Sequence, residues 1–248
     1  MTTEEFSNQF DVRLNTFSAT IPFGGESSVV DIVCDEYEKS VYLTKAQRDL
    51  VVALYTGRWG DSHDAFEQTE EVRRYLNKLI RTYTTDISTS EDVEHIKTGS
   101  YFIQLPEDLM FIVFEQAKIS DEEADCADGN IADVVATTHD YFHRQKRNPF
   151  RGPNMRRVLR LDSGLAPNGT SQDNTIELVS KYALGSYYCR YLSYPTPIVV
   201  ATLPDGLTVD GTSKITECEM PKSVHEIILD NAVALAITDK RKQVSSGN

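Results

Sequence analysis

Cysteine is sparse in this chain, and no two cysteines sit close. The four, Cys34, Cys126, Cys189 and Cys218, form no C-x-x-C pair. Such spacing argues against a disulfide framework and against a closed zinc site, and fits free, reduced thiols. Long apolar runs are lacking too, since none approaches the ~20 residues a membrane-spanning helix needs. The opening MTTEEFSNQF is acidic and holds no apolar stretch of the signal-peptide kind. These absences lead to the expectation of a protein made in a cytoplasm, with no membrane partner. Active-site signatures are missing as well. There is no G-x-x-x-x-G-K-[ST], no G-x-G-x-x-G and no G-x-S-x-G. Gly24-Gly25 reads as a turn. No catalytic residue, cofactor or metal is therefore expected, and the chain does not read as an enzyme.

Charge is abundant but unevenly placed. The 248 residues are 40% hydrophobic, enough for a sizeable core. They carry 25 Lys and Arg against 38 Asp and Glu, a net charge of -13. A uniformly acidic surface would repel nucleic acid and anionic membranes. Yet His139 to Arg160 holds Arg144, Lys146, Arg147, Arg151, Arg156, Arg157 and Arg160 against Asp140 alone, a net +6. The remainder, with 18 basic and 37 acidic residues, stands at -19. One basic segment on an acidic body suits a head-to-tail contact between copies, and equally a local anion-binding patch.

Apolar periodicity predicts helices first. Residues 2–20 place Phe6, Phe10, Leu14 and Phe17 on one face, behind a Thr2/Glu5 capping box, and Ile21 to Gly25 should stop the helix. Asp35 is expected to cap a short helix to Val41. Thr44 and Gln47 should start a second one, ended by Gly57. A third is predicted from about Thr69 to Thr82. From residue 100 the pattern turns to strands: Tyr101 to Pro106, Leu109 to Ile119, Ile131 to Thr137, Val158 to Leu161, Thr175 to Lys181, Tyr187 to Tyr194 and Ile198 to Leu203. Leu109 to Phe114 also fits the start of a buried helix. A last helix is expected behind a Ser223/Glu226 capping box, with Val224, Ile227, Ile228, Ala232, Leu235 and Ala236 facing inward. The predicted class is α+β. Residues 1–97 and 221–248 form a helical bundle, and 98–220 form a β-rich insertion.

Few groups suggest chemistry. His139 and His143 stand at i, i+4, but Asp140 follows where H-E-x-x-H needs Glu, and no third ligand is marked. The acidic stretch 121–128 lacks the ligand register of an EF-hand. The basic segment admits three readings: a solvated loop, a phosphate contact to nucleic acid, and a protein-protein anchor. The third is favoured, because Asn148-Pro149-Phe150-Arg151-Gly152-Pro153 is a turn-prone tip with Phe between cations. Arg also pairs bidentately with carboxylates. Arg144, Lys146, Arg147, Phe150, Arg151, Arg156, Arg157 and Arg160 are the candidate interface residues.

The stretches DEYEKSVYLTKAQRDLV, FEQTEEVRRYL, THDYFHRQKRNPFRGPNMRRVLRLD, IELVSKYALGSYYCRYLSYPTPIVV and LTVDGTSKITECEMPKSVHEIILDNAVALA carry a resemblance over residues 30–238. They are similar to a virion structural protein family of tailed phages, particularly the crAss-like phages of gut bacteria. The resemblance implies a head-to-tail connector, a ring in the neck between portal and tail, assembled in the host bacterial cytoplasm. It implies a homo-oligomer of about twelve copies, in which heterologous contacts close a ring. Its partners would be the portal protein and other neck or tail proteins, with DNA passing through the lumen. A nucleic-acid-associated accessory protein, binding through residues 143–160, is the alternative.

Overall fold

A computed structural model describes residues 1–18, 33–58, 69–87, 100–121, 126–145, 148, 150–162, 174–204 and 206–246. The predicted stop at residues 21–25 lies outside them, as do Lys146, Arg147 and Pro149 and the side chain of Phe17. The chain divides into two compact units, Met1–Leu79 with Tyr194–Asn248, and Ile80–Ser193. The class is α+β.

The first unit is built from helices. In α1 (Thr3–Ser18) the capping box is made: Thr2 N–H donates to Glu5 Oε2 at 2.9 Å and Glu5 N–H to Thr2 Oγ1 at 3.2 Å. Phe6, Phe10 and Leu14 are buried on its inner face, each adding ~1.5–3 kcal/mol by leaving water. The two helices predicted between Asp35 and Gly57 are one, α2 (Glu36–Thr56), capped by Asp35 and closed by Gly57 in the left-handed region at φ 70°. Thr44 is not a cap. Its hydroxyl accepts from Ile198 N–H at 3.0 Å, and Ser40 Oγ accepts from Val200 N–H at 3.1 Å. That pairing corrects the strand expected at Ile198–Leu203. Two of its backbone donors go to side chains of α2, and Val199 alone bridges to Thr216.

The third predicted helix is also shorter. α3 spans Glu70–Leu76, followed by a 3-10 turn at Asn77–Leu79. The β-branched and aromatic run Ile80–Asp86 then becomes β1, pairing along its whole length with a distant partner. At the other end the Ser223/Glu226 box is not used. A 3-10 turn at Lys222–Val224 leads into α5 (His225–Ser246) without a side-chain cap. The buried face of α5 runs through Ile228, Leu229, Ala232, Val233, Ala236 and Ile237, while Ile227 and Leu235 sit at its margin. α5 packs on α1 and α2. Arg13 pairs with Asp230, Lys240 with Glu38 at 2.6 Å, and buried Lys39 with Asp11 at 2.7 Å and Glu36 at 3.0 Å.

The second unit is a seven-stranded sheet. After β1 come β2 (Ser100–Gln104), β3 (Leu109–Ile119), β4 (Ile131–Ala136), β5 (Arg157–Asp162), β6 (Thr175–Val179) and β7 (Leu184–Ser193), in the order β1-β7-β3-β4-β5-β6-β2. Leu109 to Phe114 is strand, not helix. Every pair is antiparallel except β4 and β5. The sheet curls until the Tyr83 hydroxyl on one edge strand donates to the Gln104 carbonyl on the other at 3.2 Å. Inside lie Tyr101, Ile103, Ala117, Ile119, Val158, Ile176, Leu178, Tyr187, Cys189 and Tyr191. Strand alternation places these on one face, as period-2 side chains require.

Candidate protein-protein interface

The basic segment is the crossover of the sheet's parallel pair. Antiparallel neighbours can be joined by a tight hairpin, but β4 and β5 run the same way, so the chain must return across the sheet. It does so through α4 (His139–Gln145) and two consecutive turns. Thr138 starts α4, its Oγ1 accepting from Tyr141 N–H at 3.4 Å. Phe142 anchors the helix in a small core with Leu159, Leu161 and Val179, on the sheet face opposite the main interior. His139, His143 and Arg144 are exposed. Among the described residues no cluster of three or more His, Cys, Asp or Glu is able to hold a metal.

Both turns are organised by asparagines. Asn148 O accepts from Arg151 N–H at 3.2 Å and Gly152 N–H at 2.7 Å, while its Oδ1 accepts from Phe150 N–H at 2.9 Å. Asn154 and Arg157 exchange both backbone hydrogen bonds, at 2.9 and 3.1 Å, and Asn154 Oδ1 accepts from Arg156 N–H at 2.9 Å. Such side-chain mimicry of a turn is what Asn supplies. Arg157 Nη1 donates to Phe150 O at 3.3 Å and ties one turn to the other. Arg151 Nη1 donates to the Tyr141 hydroxyl at 2.9 Å and ties the first turn to α4. Asp133 N–H donates to Arg156 O at 3.0 Å, joining the tip to β4.

On this braced tip Phe150 is 86% exposed. Arg151, Arg156 and Met155 surround it in sequence and are exposed, as is Tyr141 on α4. The structure thus brings Phe150, Arg151 and Arg156 together, with Arg144 on the helix that precedes them. Arg157 is half-buried and acts as the brace.

Arg160 points the other way. It shares the inward parity of Val158 on β5, and its guanidinium pairs with Glu115 of β3 inside the curled sheet. The side chains are 12% and 8% exposed. Arg160 Nε lies 3.2 Å from Asp162 Oδ1, and the Tyr187 hydroxyl donates to Glu115 Oε2 at 2.7 Å. Burial raises the Glu115 pKa, against the opposing pull of Arg160 and the Tyr187 hydrogen bond. Burial also raises the Tyr187 phenol, with the Glu115 charge adding to it. Sequence reasoning missed this internal triad. The period-2 count from Val158 was the signal that would have found it.

The thiols offer no nucleophile at neutral pH where they are enclosed. Burial pushes Cys34, Cys189 and Cys218 up to about 11. What the described surface presents is an aromatic and cationic tip whose backbone is hydrogen-bonded and whose Phe ring is exposed. Aromatic and Arg side chains of this kind are favoured at protein-protein contacts.

Comparison with known proteins gives the family. The chain belongs to the phage tail ring protein 3/4 family, whose model matches residues 1–248. It is 42% identical to "Ring protein 3" of Bacteroides phage crAss001 over 240 residues, covering 97% of this chain and 96% of that protein. It is 26% identical to "Ring protein 4/5" of the same phage over 242 residues, covering 95% and 92%. The protein is a structural ring component of a phage virion. No described helix is long and apolar enough to cross a membrane.

Proposed function

We propose that the protein forms a closed ring in the phage neck, connecting the portal to the tail, and that the crossover tip is its docking element. The observation that carries the docking role is the exposure of Phe150 on a tip held by hydrogen bonds at every turn. Covering a large apolar ring removes it from water, and buried aromatic and Arg anchors dominate interface energetics. Arg144, Arg151 and Arg156 supply the rim charges, with Lys146 and Arg147 nearby in sequence. Arg157 and Arg160 hold the tip in place. The helical bundle forms the body of each ring subunit in this reading, and the sheet unit presents the tip. About twelve copies close the ring, the number that portal symmetry in this class of phage implies, and a fixed rotation between two different faces closes when it divides the circle. The ring is assembled in the host cytoplasm, and its partners are the portal and further neck or tail proteins.

Quantitative peptide mass spectrometry of purified particles tests the placement. Abundance near that of the portal is the expected result, and absence from particles would overturn it. The docking role is tested by reversing Arg151 and Arg156 to Glu. The monomer should stay folded and incorporation should fail, whereas normal incorporation would refute the role. If the tip instead faced DNA, the isolated protein would bind DNA with a steep inverse dependence on salt.

A further inference from the structure

The tip needs a receptor, and the same chain carries a cleft with acidic residues at its wall. In the helical unit a cleft of about 500 Å³ opens between α3 and the turn before α5. Its walls are Glu70, Glu71, Arg74 and Tyr75 on one side and Pro221 and Ser223 on the other. Tyr75 and Pro221 supply apolar surface and are half-buried, while both glutamates are exposed. Among the described residues the glutamates are engaged with their own helix. Glu70 pairs with Arg74 at 2.6 Å, with both side chains more than two-thirds exposed, and Glu71 accepts from the Tyr75 hydroxyl. An exposed i, i+4 pair of this kind is weak and exchanges readily for a better-placed cation.

We infer that this cleft is the receptor for the Phe150 tip of a second copy. Phe150 enters between Tyr75 and Pro221, and Arg151 and Arg156 pair with Glu70 and Glu71. The inference rests on the docking role proposed for the tip and names its partner surface. Three observations favour a second copy over other occupants. The tip is cationic, and the cleft's two carboxylates outnumber its one cation, Arg74, so the pair is complementary, whereas the carboxylates would repel DNA. Aromatic rings prefer to pack against another ring or an apolar wall, which Tyr75 and Pro221 offer. Donor and receptor lie in different units of the chain, Phe150 in one and the cleft in the other. A contact between two unlike patches is heterologous, the kind that propagates around a ring, and a two-fold dimer does not require it.

A reciprocal charge swap in the full chain tests this, read as incorporation into particles relative to the portal. Arg151→Glu with Arg156→Glu should lower incorporation by about tenfold or more. Glu70→Arg with Glu71→Arg should do the same, and combining all four should restore most of it. Normal incorporation of the tip variant would refute the docking role and this inference together. Loss with the tip variant but normal incorporation of the cleft variant would leave the docking role standing and overturn the receptor assignment. Failure of the combined variant, with each folded by circular dichroism, would overturn the pairing too. A photo-crosslinking residue at position 150 gives a readout independent of α3 stability. Crosslinks from one isotope-labelled copy to residues 70–75 or 221–223 of an unlabelled copy are expected. Crosslinks mapping elsewhere would overturn the assignment.

Discussion

Replacing Glu115 by Gln probes the device that holds the tip-bearing strand. Glu115 on β3 and Arg160 on β5 meet across β4, in the sheet interior, with 8% and 12% of their side chains exposed. Glu115→Gln keeps the shape and still accepts from Tyr187, but it leaves the guanidinium without its counter-charge. Asp162, 3.2 Å from Arg160 Nε and 77% exposed, is too solvated to take over. Removing one member of a buried pair costs ~3–5 kcal/mol. For a chain of this size that corresponds to a fall in Tm of roughly 6–20 °C. The loss comes from the stranded charge, so Glu115→Leu with Arg160→Met should cost much less than either single change. The complementary variant, Arg160→Met, adds a pH signature. Burial already raises the Glu115 pKa in the presence of Arg160, and removing Arg160 raises it further. A carboxyl whose folded pKa lies above its unfolded value stabilises most when protonated. The Arg160→Met protein should therefore gain stability as pH falls toward the carboxyl range and lose it as pH rises. Urea denaturation at several pH values measures this. Single-variant losses below about 1 kcal/mol, or a pH-independent Arg160→Met defect, would refute the reasoning.

Two further outcomes follow from the same geometry. Phe142→Ala removes the anchor of α4 on Leu159, Leu161 and Val179, a change that costs ~3–5 kcal/mol in a packed core. Because α4 is only seven residues long, the loss should appear as local release, with trypsin cutting in residues 139–157 before the rest of the chain. Equal cleavage of variant and parent would count against the anchor. His225 is buried, its Nε2–H donating to Met220 O at 2.9 Å and its Nδ1 accepting from the Met1 amine at 2.8 Å. Burial depresses its pKa, and the nearby amine, Lys78 and Lys222 act in the same direction. The unfolded chain thus binds a proton more readily. Stability present above the ordinary value of 6.5 should be lost as pH falls through the folded pKa. His225→Gln should flatten that slope in urea midpoints, and an unchanged slope would assign it elsewhere.

The sequence by itself determined what is local. The Thr2/Glu5 and Asp35/Glu38 caps, the Gly57 stop and the turn chemistry of Asn148 and Asn154 each depend on residues within a few positions. The sequence showed the concentration of positive charge after His139 equally plainly. Tertiary structure decided the features whose partners are distant. Ile80–Asp86 is a strand because β7, about a hundred residues later, pairs with all of it. Ile198–Leu203 is not one, because Ser40 and Thr44 of α2 take two of its backbone donors. A segment's own composition does not say where its hydrogen bonds go. The same holds for the basic residues. Strand alternation sends Arg160 into the sheet interior, where Glu115 compensates its charge, and the turns leave Arg151 and Arg156 in water beside Phe150. Spacing supplied the cations, and the parallel crossover sorted them into a brace and an exposed tip.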